Sequence, residues 1–210
     1  MKLTRRPSWK RLSMLATGVL ALPILAGAAA HADSTTDKIS FDLVRSASAR
    51  DGGCLRQAEA DVTVETVGAN QVMTVSLSRM PANTAFVLFV IQVPDAPFGM
   101  GWYQGDVDTG LDGTATETFI GRFNIETFVV APGSAPAPDT HPGIDATSNP
   151  ATAPVHMYHL GLWFDRVDDA VKAGCPDATT PFNGDHTAGI QALSTRNFPD
   201  GEGPLSKLPE

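Results

Sequence analysis

Short runs of alternating apolar and polar residues dominate the chain after its first 32 residues. In ADVTVETV, Val62 and Val64 alternate with polar neighbours, and in QVMTVSLS the residues Met73, Val75 and Leu77 take the apolar places. A period of two is typical of β-strands that bury one face and expose the other. VGANQ, between the two runs, supplies Gly and Asn for a tight turn, so the pattern predicts a β-hairpin.

Two denser apolar runs show no alternation. AFVLFVIQV (85–93) and VHMYHLGLWF (155–164) place apolar side chains at consecutive positions, as expected of central strands that are buried on both faces. Shorter runs predict three further strands, at KISFDLV, FNIETFVVAP and TAGIQALST.

Turn and capping residues predict two more elements. Residues 105–121 carry an Asp-Gly pair at 112–113 between two Thr-rich arms, which favours a second hairpin. The stretch 165–175, DRVDDAVKAGC, favours a helix because Asp165 can cap its start and Gly174 can end it.

Together these elements predict the fold class. Residues 132–154 contain six prolines and almost no large apolar side chains, so we expect a long loop or linker there. Many short strands with one helix indicate an all-β protein, because the helical crossovers of a parallel α/β sheet are missing. We predict that residues 33–210 form a single domain, an immunoglobulin-like antiparallel β-sandwich with a long Pro-rich loop and one short C-terminal helix.

The first 32 residues have the pattern of a secretory signal peptide. Five Lys and Arg residues surround the start of the chain, an apolar run follows, and Ala30-His31-Ala32 fits the small-x-small cleavage rule. We expect residues 1–32 to be removed and the protein to be secreted. No later run is long and apolar enough to span a bilayer, so we expect no membrane span after cleavage.

Charge narrows the range of partners. All 23 acidic residues but only 10 of the 15 Lys and Arg residues lie within residues 33–210, which gives this part a net charge of −13. A surface this acidic repels phosphate backbones, so we expect no nucleic-acid partner.

The chain has two cysteines, Cys54 and Cys175. In an oxidising compartment a single disulfide is the expected state, and it would close a loop of about 120 residues. The alternative is a reactive thiol or a metal ligand. The residues around the two cysteines carry no catalytic signature that would support it.

Aromatic residues are the first candidates for binding. PDAPFGMGWYQGD (94–106) holds Phe98, Trp102 and Tyr103 among prolines and glycines directly after a dense apolar run. Such rings stack on sugars or form protein interfaces. A sandwich also needs bulky side chains in its core, and for Trp102 the sequence favours the core.

Metal sites are weaker candidates. Asp106, Asp108, Asp112 and Glu117 fall at positions 1, 3, 7 and 12 of a calcium-loop pattern, but positions 5 and 6 carry the wrong residues and no helices flank it. We therefore favour a solvated acidic turn over a calcium site.

Copper is the second metal considered. In HMYH, His156 and His159 invite a copper site with Met157, but on a strand the two histidines point to opposite faces. We expect no cofactor.

A small secreted hydrolase is the enzymatic alternative. His186, within NGDHTAG, and His159 are the candidate bases. No G-x-S-x-G nucleophile motif is present, and side chains of adjacent residues such as Asp185 and His186 diverge rather than form a working triad. The balance is against an enzyme.

Two phrases carry a resemblance to known proteins. Two segments, LSRMPANTAFVLFV (77–90) and VDTGLDGTATETF (107–119), resemble segments of exported bacterial immunoglobulin-like modules. WYQGD, GRFNIETF and GDHTAGIQALSTRNF resemble uncharacterised secreted bacterial proteins over most of residues 54–200. The resemblance implies a fold and a compartment but no activity. We therefore expect a secreted, non-catalytic β-sandwich that binds an extracellular protein or polysaccharide.

Overall fold

A computed structural model describes residues 37–123, 129–130 and 157–208, with the backbone alone for 129–130. The predicted signal peptide (1–32), the Pro-rich segment (132–154) and His156 lie outside the described residues.

The described residues form nine strands and three short helices. Most of the predicted strands are confirmed, including the three short runs in so far as they are described. The strands are β1 Lys38–Arg45, β2 Glu59–Val67, β3 Asn70–Ser78, β4 Ala85–Ile91, β5 Met100–Asp108, β6 Ala115–Gly121, β7 Val129–Val130, β8 His159–Phe164 and β9 Gln191–Ser194. The helices are α1 Ala47–Asp51, α2 Val167–Lys172 and a 3₁₀ helix, Pro204–Lys207.

All the strand pairs are antiparallel, in the order β6-β3-β2-β1-β9-β8-β4-β5-β7. β1 joins two halves of the sheet, β6-β3-β2 on one side and β9-β8-β4-β5-β7 on the other. Lys38 to Leu43 pair with β2, whereas Val44 and Arg45 pair with β9. The sheet curls until the Phe119 ring of β6 lies against the backbone of Gly105 in β5. The protein is thus all-β, and apart from the two-residue β7 its strands nearly close into a barrel.

The second predicted hairpin, over residues 105–121, is wrong. A turn does connect β5 to β6, but β5 pairs with β4 and β7, and β6 pairs with β3. The two arms come from distant places in the sheet order and meet only because the sheet curls.

The main core lies inside this curled sheet. Val64, Met73 and Val75 are fully buried, which confirms the alternation predicted for β2 and β3. The hairpin between them is also confirmed, with Gly68 at a φ of +61° in the turn.

β4 is buried on both faces, as predicted. Leu88 and Val90 face the main core, while Val87 and Ile91 face a second cluster on the other side of the sheet. This second cluster is built on two large rings, Trp163 of β8 and Phe182, and we call it the aromatic cluster. A double-sided strand explains why AFVLFVIQV shows no alternation.

The predicted disulfide is confirmed and joins the ends of the two α-helices. Cys54 and Cys175 follow α1 and α2, with their Cα atoms 5.1 Å apart. Each backbone N–H donates to the preceding helix, Cys54 to Ala49 and Cys175 to Ala170.

Two details of the helices differ from the prediction. α1 is only five residues long and was not predicted; its cap is Ser46, whose hydroxyl accepts from the N–H of Ala49. The N-cap of α2 is Arg166 rather than Asp165, because the Asp165 backbone oxygen instead accepts from the Asn183 side chain. No helix in the described parts of the chain is long and apolar enough to cross a membrane.

Candidate ligand cleft between β5 and β6

The nearly closed sheet leaves a cleft of about 490 Å³ where β5 and β6 diverge. This volume falls in the range of small-ligand sites, about 300–1,000 Å³. We call it the β5–β6 cleft. Its described lining residues are Val90, Trp102, Tyr103, Gln104, Ile120, Gly121, Arg122, Phe123 and Met157.

Buried apolar side chains among the lining residues join the cleft to the core. Val90, Phe123 and Met157 are each less than a tenth exposed. The end of β6 is fixed from inside the sheet because the N–H of Phe123 donates to the buried side-chain oxygen of Gln71 over 2.6 Å. The cleft is therefore a continuation of the core to the surface.

A β-bulge shapes the β5 side of the cleft. Phe89 lies opposite Tyr103 and Leu88 lies opposite Gly105, which leaves Gln104 without a partner on β4. A bulge bends its strand and re-aims the side chains around it. Trp102, Tyr103 and Gln104 consequently all border one cleft, although neighbours on a regular strand point to opposite faces.

Trp102 is not a core residue, so the sequence interpretation that favoured the core is wrong. The residue is 38% exposed and Tyr103 is 46% exposed. The reason is position. Among the described residues β7 covers β5 only at Met100 and Gly101, so Trp102 lies beyond the last paired position on that side.

Phe98 does not join the other two candidate rings. It packs edge-on against Trp163 and Phe182, with ring centroids 5.0 and 5.1 Å away, and belongs to the aromatic cluster. The structure thus brings Trp102 and Tyr103 together at the cleft and assigns Phe98 to packing.

Tyr103 is held in place and kept neutral. Its hydroxyl donates to Asp106 Oδ1 over 2.8 Å and its ring packs edge-on against Phe89. Partial burial, followed by the nearby carboxylates of Asp106, Asp165 and Asp108, raises the pKa of Tyr103 to about 12. The phenol therefore adds no negative charge to the cleft at neutral pH.

Arg122 is the only charged side chain among the described lining residues. It is exposed, and its Nη1 donates to the backbone oxygen of Ala69 over 3.1 Å. That bond ties the guanidinium to the β2–β3 turn and leaves its other N–H groups available, since arginine carries five.

The four calcium candidates do not form one site. Asp106 accepts from Tyr103, and Asp112 accepts from both the hydroxyl and the N–H of Thr114, which lower the pKa of Asp112. Burial, with repulsion from Asp106 and Asp165, raises the pKa of Asp108, while Glu117 lies on β6. Across the described parts of the chain no three His, Cys, Asp or Glu side chains gather as metal ligands.

His159 is buried in the sheet, and both of its ring nitrogens are engaged. Nδ1 lies 2.8 Å from Thr195 Oγ1 and Nε2 lies 3.0 Å from the backbone oxygen of Asp200. A carbonyl can only accept, so Nε2 donates and Nδ1 accepts from the hydroxyl. This ring is bound to the segment that follows β9 and is not presented to a substrate.

His186 lies on an exposed turn, at a φ of +58°, and neither histidine lines the cleft.

The environment of His159 predicts a pH dependence of stability. Burial lowers the pKa of His159 below the ordinary 6.5. As pH falls, the unfolded chain binds this proton before the folded chain does, so the stability that His159 contributes is fully present above pH 6.5 and is lost as pH drops from there toward the folded-state pKa. Urea unfolding at pH 8 and at pH 5 measures the loss.

The matched variants are His159→Asn and His186→Ala. We expect His159→Asn to be less stable at pH 8 but to lose less stability than the wild type between the two pH values. His186→Ala should keep the wild-type slope. An unchanged slope in His159→Asn would assign the pH dependence to other groups.

No protein-family model, curated protein or solved structure matches the chain.

Sequence reasoning missed Gln104, Ile120 and Arg122 as parts of the site. One signal was present. Thr116 and Thr118 mark the outward face of β6, and Ile120 continues that face as an apolar residue that is 73% exposed. A single exposed apolar residue is common on protein surfaces, so Ile120 gains meaning only from its place beside Trp102 in the cleft. Gln104 carries no such signal, because its place depends on the bulge.

Proposed function

We propose that the protein is a secreted, non-catalytic binding protein that takes an extracellular polysaccharide or protein partner in the β5–β6 cleft. Export rests on the signal-peptide pattern of residues 1–32. The finer fold proposal is an immunoglobulin-like sandwich, with β6-β3-β2-β1 as one layer and β9-β8-β4-β5 as the other. The change of partner within β1, from β2 to β9 at Val44, supports two layers.

The observation that carries the proposal is the environment of Trp102. Trp102 is 38% exposed and lines the cleft together with the apolar side chains of Val90, Ile120 and Met157. Exposed tryptophan and tyrosine with apolar neighbours are the anchors of binding sites, because a flat ring buries much area at little cost in side-chain freedom.

Trp102→Ala is expected to weaken binding by about 10-fold to 30-fold, as loss of an aromatic anchor does. It should cost only about 1 kcal/mol of stability, because the side chain is already partly in solvent. A glycan array and a pull-down on extracellular protein extracts, both with the purified protein, identify ligands. Titration of the best ligand then compares the variants.

The matched control is Leu111→Ala, since Leu111 is 86% exposed and lies in the turn after β5, outside the lining of the cleft. It should bind like the wild type. If Trp102→Ala binds as well as Leu111→Ala, the cleft is not the site and the proposal is wrong.

A further inference from the structure

We propose that the ligand of the β5–β6 cleft is a saccharide with sparse carboxylates, whose sugar ring stacks on Trp102 while one carboxylate pairs with Arg122. This inference rests on the proposed function and names the ligand class of the same site. Four observations carry it: the charge of the cleft, the state of Arg122, the neutral polar groups beside it, and the charge of the remaining surface.

The described lining of the cleft carries one positive side chain, although the protein as a whole is acidic. Residues 33–210 carry 23 acidic and 10 basic side chains, yet Arg122 is the one charged group among the described lining residues. Tyr103 is a neutral phenol, and the carboxylate of Asp106, which accepts its hydroxyl hydrogen bond over 2.8 Å, is the negative charge beside the cleft. An anionic group that enters the cleft therefore meets a positive charge at close range.

Arg122 has no acidic partner in the described ranges, as is also true of Arg45 and Arg56, but among these three it alone lines the cleft. Arg79 pairs with Glu59, and Arg196 makes a two-pronged contact with Asp95. Arg122 makes no ion pair with any residue in the described ranges, and its single bond to Ala69 holds the guanidinium in place. A fixed, unpaired guanidinium is suited to a two-pronged bond with a carboxylate.

The neighbouring groups suit a sugar better than an apolar acid. Trp102 offers a ring face, and Gln104 offers a side-chain amide that lies 3.5 Å from the Trp102 backbone oxygen. The amide oxygen of Gln104 is left to accept from a ligand hydroxyl. A ring face, an amide and a cation side by side match the apolar face, the hydroxyls and the carboxylate of a uronic acid.

The rest of the surface limits how many charges the ligand carries. With a net charge of −13 over residues 33–210, the protein repels a dense polyanion at long range. A chain with a carboxylate on every sugar, or a phosphate backbone, is disfavoured. A glycan with isolated carboxylates gains the contact with Arg122 and avoids most of the repulsion.

The test uses two probes that differ only at one carboxyl group. One is an oligosaccharide with a single glucuronic acid in a neutral chain, and the other is the same compound with its carboxyl group reduced to the alcohol. Calorimetric titration of the purified protein at about 0.15 M salt measures both. We expect the acidic probe to bind about 10-fold to 100-fold more tightly, the usual range for a charge-assisted bond.

Arg122→Gln should bring this ratio of affinities close to one. The matched control is Arg56→Gln, because Arg56 is also exposed and also donates one bond to a turn carbonyl, that of Gly53, over 3.0 Å. It should keep the wild-type ratio. Loss of the ratio in Arg122→Gln alone supports the inference.

Other outcomes overturn it. If the wild type binds both probes equally, and Trp102→Ala weakens both, the cleft takes neutral glycans: the proposed function stands and the assignment of an acidic saccharide fails. If neither probe binds while a protein captured in the pull-down binds in a Trp102-dependent manner, the ligand is a protein and the saccharide assignment is wrong. If no ligand depends on Trp102, the proposed function itself fails.

Discussion

Replacement of Cys54 and Cys175 together by alanine is expected to lower the free energy of unfolding by about 4–5 kcal/mol. The two cysteines are 121 positions apart, and a cross-link across so long a loop removes much of the freedom of the unfolded chain. Alanine is chosen because both positions are buried and a serine hydroxyl would have to be desolvated there. Urea unfolding, monitored by circular dichroism, gives the difference.

Reduction of the wild type with a thiol provides the control for this experiment. The reduced wild type and the double variant should unfold at nearly the same urea concentration, since both lack the cross-link. A loss below about 1 kcal/mol in both would contradict the chain-entropy argument and mean that the unfolded chain is already compact.

The bond also has a local role that follows from the length of the helices it joins. α1 has five residues and α2 has six, and isolated helices of that length are unstable in water. The cross-link holds the ends of both helices together beside the sheet. We therefore expect helical signal to be lost before strand signal when the reduced protein is titrated with urea.

The sequence predicts an element best where the environment of that element is simple. β2 and β3 lie on the curved sheet with one face in the core, so their alternation translates directly into Val64, Met73 and Val75 in the interior. β4 has a core on each side, so its continuous apolar run was equally informative. In both cases most apolar residues are buried, with the exposed Val67 and the buried Gln71 as exceptions at the strand ends.

Pairing and exposure were harder to predict because they depend on distant parts of the chain. The Asp-Gly turn at 112–113 was recognised, but a turn does not specify that its arms pair, and here β6 lies beside β3 instead. Trp102 is exposed because β5 lies near the end of the sheet order, a property of the whole topology. α1 was missed because five residues carry too little periodicity.

Trp163→Ala is expected to destabilise the protein by about 3–5 kcal/mol, the usual cost of truncating a buried aromatic residue. The ring is fully buried and lies parallel to Phe182, with centroids 3.9 Å apart and an angle of 12°. Phe89 and Phe98 meet it edge-on at 5.6 and 5.0 Å. Truncation leaves a cavity that the three facing rings cannot fill, and urea unfolding measures the resulting loss of stability.

Trp163→Phe separates packing from the polar atom of the indole. The buried Nε1 of Trp163 has no hydrogen-bond partner in the described parts of the protein, so phenylalanine removes an unsatisfied donor while it keeps most of the ring. We expect this variant to retain most of the stability that alanine loses. If it is as unstable as Trp163→Ala, the six-membered ring alone does not support the cluster.

Trp102→Ala completes the set, because it truncates the same side chain on the same sheet at an exposed position. The same tryptophan-to-alanine change should cost about 1 kcal/mol at the exposed Trp102 and about 3–5 kcal/mol at the buried Trp163. Because the side chain removed is identical, that difference would come from burial alone. Equal costs would mean that Trp102 supports the fold as much as Trp163 does. In that case a loss of binding in Trp102→Ala could no longer be separated from a loss of structure.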